Sequence, residues 1–63
     1  MSAAVRNACI SRDLDFAEEL LTQEIETDPD NYISYANRAI VMARKSDWNK
    51  AFHDAQKVSA LRL

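Results

Sequence analysis

A chain of 63 residues holds at most one small domain, and a domain of that size buries only about 60% of the surface its unfolded chain exposes. A single cysteine (Cys9) excludes an internal disulfide, and a single histidine (His53) argues against a zinc site, so no cofactor is expected. The net charge of −2, from residues of both signs interspersed along the chain, argues against nucleic acid as the main partner, because phosphate binding needs a concentrated basic face.

Glycine is absent, which removes phosphate-cradling loops and nucleophile elbows, since both need its backbone freedom. No apolar run approaches the roughly 18 residues of a membrane span, and residues 1–12 lack the apolar stretch of a signal peptide. These features predict a soluble, cytoplasmic domain whose stability comes from helix packing, from further copies of the unit, or from a partner.

In chain order, the alanine-rich residues 2–11 predict a first, short helix. Asp13 is placed to cap a second over 14–26, where Ala17, Leu21 and Ile25 recur at i, i+4, i+8 beside Leu14 and Leu20. The only proline, Pro29, then stops the helix, because it lacks an N–H and biases Asp28 away from helical angles. Asp30 or Asn31 can cap a third helix over 32–45, with an apolar face of Tyr32, Tyr35, Ala36, Ala39, Met42 and Ala43. Asp47 caps the last, over 48–61, with Trp48, Ala51, Phe52, Ala55 and Val58 as its stripe. The fold class is all-α: about four helices joined by short turns, so that neighbours run antiparallel. Trp48 is expected to be buried between the second and fourth helices.

A shift of 34 residues places Asp13 on Asp47 and Ala17 on Ala51, each near the start of a second-in-pair helix. The pattern Tyr35-x2-Arg38-Ala39-x2-Met42, followed by Ala51-x3-Ala55, with Ala17-x3-Leu21 and Pro29 in the first copy, resembles the tetratricopeptide repeat family. The resemblance implies an α-solenoid of helix-turn-helix repeats, repeat one about 1–31 and repeat two about 32–63. Val5 departs from the family at its small position, and Arg12 and Ser46 stand where it has an inter-helix glycine.

The resemblance also implies a concave peptide groove lined by first-in-pair helices, here Ser2, Ala3, Arg6, Ile10, Ile33, Ala36, Asn37, Ile40 and Arg44. The segment from Tyr35 to Ala39 resembles the co-chaperone subgroup, in which an asparagine at the place of Asn37 helps hold a peptide carboxylate and backbone. Ser2 and Arg6 replace that subgroup's lysine and asparagine, so its complete carboxylate clamp is not expected. Arg38 falls beside Asp54 if the last two helices pack antiparallel, a structural ion pair.

Two functions follow. The first is a binding module for a protein or peptide segment, using Arg6, Ile33, Asn37, Ile40 and Arg44. The second is self-association with another copy, through an end face of Met42, Phe52, Ala55, Val58 and Leu61 that a further repeat would otherwise cover. Nothing in the sequence assembles a catalytic constellation, and neither nucleic acid nor membrane is an expected partner.

Overall fold

The computed structural model describes the backbone of residues 3–63 and the side chains of residues 12–63. It contains three helices, α1 (Ala3–Thr27), α2 (Tyr32–Arg44) and α3 (Trp48–Arg62), and no strand among the described residues. Helix α2 is central and packs against both α1 and α3. Each neighbouring pair is antiparallel: Arg62 at the end of α3 lies over the ring of Tyr32 at the start of α2, and Lys45 just past α2 reaches back to Glu18 of α1.

The helices expected over 2–11 and 14–26 are one continuous helix, so the chain has three helices where the sequence suggested four. Asp13 lies inside α1 and caps nothing. The reason is local. Residues 3–13 contain neither glycine nor proline, alanine is the best helix former, and an aspartate caps only where the preceding residues leave helical geometry. The helix therefore has no turn near Arg12.

The other two junctions form as their chemistry dictates. Residues 28–31 make a turn with Pro29 at its second position, closed by the Asn31 amide donating to the Asp28 carbonyl at 3.2 Å. Asn31 then caps α2, its side chain accepting from the Ile33 amide at 3.0 Å. Helix α2 ends in a Schellman motif: the Asp47 amide donates to the Met42 carbonyl at 2.9 Å and the Ser46 amide to the Ala43 carbonyl at 3.0 Å. That motif needs a left-handed residue, and Ser46 supplies it at φ 63°. Asp47 immediately caps α3, accepting from the Lys50 amide at 3.3 Å.

The core is thin. Among the described residues the buried apolar side chains are Tyr35 and Met42. Leu14, Ala17, Leu21 and Ile25 of α1 are half-buried, as are Ala51, Val58 and Leu61 of α3. Met42 departs from its expected place on an open end face, since only 1% of it is exposed. It stands one and two turns from Arg38 and Tyr35 on the inward stripe of α2. Trp48 departs in the opposite sense: it is 66% exposed, with Phe52 beside it at 65%. Helix α3 presents Ala51, Asp54, Val58 and Leu61 inward, and the neighbouring line of Trp48, Phe52 and Ala55 faces outward.

Two outcomes follow from this arrangement. Ser46→Gly, which removes a left-handed Cβ, should stabilise the chain by about 0.5–1 kcal/mol in urea unfolding. Trp48 should emit near the wavelength of free indole in water, and Trp48→Ala should cost less than about 1 kcal/mol. A blue-shifted emission in the folded protein would contradict this placement.

Candidate functional site

Arg38 sits at the junction of all three helices. From α2 its Nε donates to Asp54 Oδ2 at 2.8 Å and its Nη2 to Asp54 Oδ1 at 2.7 Å, a two-point clasp on α3. Its Nη1 makes a long 3.4 Å contact with Thr22 Oγ1 on α1, and its guanidinium lies 5.6 Å from the centre of the Tyr35 ring. Asp54 is buried, while the Arg38 side chain keeps about a fifth of its surface, 21%, in water. The hydrogen bond donated to Asp54, partly opposed by burial, raises the Arg38 pKa above its already high ordinary value. This is the ion pair expected from an antiparallel packing of the last two helices.

A second cluster ties α1 to the turn after α2. Lys45 pairs with Asp15 and with Glu18, the latter at 2.7 Å, while Lys50 stands 3.8 Å from Glu18. Hydrogen bonds to Asp15 and then Glu18 raise the Lys45 pKa above the ordinary lysine value. A cation raised in the folded state contributes stability that is complete below its unfolded pKa and is lost as pH climbs through the raised value. Neither Lys45 nor Arg38 therefore makes stability vary near neutral pH. Buried Ser34 completes the α1–α2 seam, donating from Oγ to Glu24 Oε2 at 3.1 Å.

Because α2 separates α1 from α3, a cleft of about 490 Å³ opens between the two outer helices. Glu18 and Thr22 form one wall, Asn49, Lys50, His53 and Asp54 the other, and Arg38 and Met42 the floor. Its strongest polar groups are already committed to each other. Among the described residues no cluster of histidine, cysteine and carboxylates is arranged to hold a metal.

The groove residues expected on α2 lie together on the side opposite Tyr35 and Met42. Ile33, Asn37, Ile40 and Arg44 recur at i, i+4, i+7, i+11, and all four are exposed. Ser2 lies outside the described residues, as do the side chains of Ala3, Arg6 and Ile10. Their backbone from residue 3 onward belongs to α1, so no separate first-in-pair helix runs beside α2. On the expected self-association face, Phe52 and Ala55 are exposed, Val58 and Leu61 half-buried, and Met42 buried.

The surface also shows what the sequence reading missed. Phe16 and Leu20, one turn apart on the back of α1, are exposed at 61% and 45%. Charge segregates by helix rather than interspersing: eight of the ten carboxylates lie between Asp13 and Asp30, and six of the eight Lys and Arg residues lie between Arg38 and Arg62. Counting charge by half-chain would have found this. The exposure of Trp48 was legible only once Asp54 was known to face inward. No protein-family model and no solved structure matches the chain. Among the described residues, no helix is long and apolar enough to cross a membrane.

The junction is testable. Asp54→Ala leaves Arg38 unpaired in a largely enclosed position and should destabilise the chain by about 2–3 kcal/mol, at or below the low end for buried pairs because Arg38 is part-solvated. The double change Arg38→Met with Asp54→Leu should recover most of that loss. Urea unfolding of the two variants decides whether the clasp holds the helices or merely decorates them.

Proposed function

We propose that this chain is a helical protein-interaction module of the tetratricopeptide kind, acting in the cytoplasm and without catalytic activity. In this reading residues 1–31 and 32–63 are its two repeats, the first without an internal turn. The observation that carries the reading is the open stripe Ile33, Asn37, Ile40 and Arg44 on α2. Two isoleucines, 55% and 52% exposed, flank an amide that can both donate to and accept from a peptide backbone. Arg44 at the end of the stripe supplies a forked donor for a carboxylate. An extended segment with apolar side chains and an acidic terminus has the matching chemistry.

A second reading, self-association, is favoured by a different observation. Among the described residues the buried apolar set is small, beside exposed Phe16, Leu20, Trp48 and Phe52, and contiguous exposed apolar surface usually marks a contact site.

The stripe is tested by selecting binding peptides from a displayed library against the parent chain. Asn37→Ala should weaken the selected peptides about tenfold, the worth of one directed hydrogen bond, without moving the melting temperature. Ile40→Asp should abolish their binding. Peptides that bind both variants as tightly as the parent would remove this stripe as the site.

A further inference from the structure

Two exposed apolar ridges lie on opposite flanks of the molecule and carry opposite charge. On α1, Phe16 faces away from the half-buried line of Leu14, Ala17, Leu21 and Ile25, and Leu20, one turn on, flanks that line beside the hollow shared with Asn31 and Ser34. Exposed Asp13 and Glu19 border this ridge together with Arg12, one turn before Phe16, while Glu24 is engaged by Ser34 of α2. On α3, Trp48, Phe52 and Ala55 face outward, away from the cleft that separates α3 from α1. The helices that carry this second face, α2 and α3, contain a single carboxylate, Asp54, and it is buried. Their exposed cations Arg44 and Arg62 make no ion pair among the described residues, while Lys57 lies over the Tyr35 ring on the α2 side of α3.

We propose that the α3 face of one copy receives the α1 ridge of a second copy, so that the chain associates head to tail. This deepens the self-association reading and rests on it. Three observations select this occupant over a symmetric pairing. First, a parallel two-fold contact of α3 face on α3 face would bring the two Arg62 side chains together, and like charges across an interface are unfavourable. Second, the α1 ridge supplies what the α3 face lacks: large apolar side chains spaced one helical turn apart within a border that is acidic on balance. Third, each copy carries one ridge and one face, so every copy can use both. A contact between two different patches does not close on itself at two copies. It grows into a ring if the rotation closes, and otherwise into an open chain.

The geometry also sets how the association responds to conditions. Apolar contact supplies the attraction and the charged borders supply orientation and encounter rate, so high salt should weaken the association by about tenfold relative to low salt. Phe16 and Phe52 are both well exposed, so a charged substitution at either leaves the fold intact, as circular dichroism can check.

The deciding experiment mixes two single variants. Phe16→Glu spoils the ridge and leaves the face; Phe52→Glu spoils the face and leaves the ridge. By sedimentation velocity from micromolar to millimolar, the parent should grow beyond a dimer, and each variant alone should associate about 30-fold or more weakly, the loss typical of a central contact residue. Mixed in equal amounts, the two variants should form a heterodimer and nothing larger, because one intact ridge meets one intact face. Failure of the mixture to pair, with Phe16→Glu alone still dimerising like the parent, overturns head-to-tail docking and leaves a symmetric dimer through α3. A parent chain that stays monomeric throughout, at low salt, overturns both this proposal and the self-association reading, while the peptide-binding stripe on α2 stands or falls by its own test.

Discussion

The clasp between Arg38 and Asp54 is the contact on which the arrangement of the helices depends. Burying a carboxylate is costly unless its charge is met and its oxygens are bonded, and here both oxygens accept from one guanidinium at 2.7–2.8 Å. Meeting that requirement leaves α3 little freedom to rotate about its axis. With Asp54 inward, Ala51, Val58 and Leu61 follow it against α2, and Trp48 and Phe52 are turned out. An apolar residue at position 54 would have left the larger aromatic stripe free to take the interior.

The same residue limits how closely the outer helices approach. Arg38 fills the space between α1 and α3 with a polar group that Asp54 and Thr22 satisfy, and Met42 lies beneath it. The result is a cleft floored by a closed ion pair, flanked by the carboxylate–lysine cluster of Asp15, Glu18, Lys45 and Lys50. Those charges stabilise the seam and leave few free groups for a ligand inside the cleft. The exposed large apolar side chains lie elsewhere, outside the cleft.

A chain with so little interior depends on its junctions. Pro29 and Asn31 set the first, and Ser46 and Asp47 set the second, where one left-handed residue lets two carbonyls of α2 and the first turn of α3 be satisfied within four residues. Near Arg12 no such device exists, and the helix runs on. The tetratricopeptide pattern asks for a turn at both places. An aspartate follows each, Asp13 and Asp47, but only Ser46 takes the left-handed turn.

The sequence by itself determined the helical class, the stop at Pro29, the cap at Asp47, a cap at Asp30 or Asn31 of which Asn31 is the one used, and, given antiparallel packing, the pairing of Arg38 with Asp54. Each of these depends on residues close in the chain or on charges that an antiparallel hairpin must bring together. It also placed Ile33, Asn37, Ile40 and Arg44 on one face, because helical periodicity alone does so. What only the tertiary structure decided is which side of each helix meets its neighbour. Helix α3 offers two adjacent apolar stripes, and periodicity ranks Trp48 and Phe52 above Ala51 and Val58 because they are larger. The buried carboxylate outweighs that preference, sending Trp48 to the surface, while Met42, on the inward stripe of α2, takes the centre. The continuity of α1 was open in the sequence, where Asp13 offered a cap, but residues 3–13 contain no glycine or proline that would force a break there.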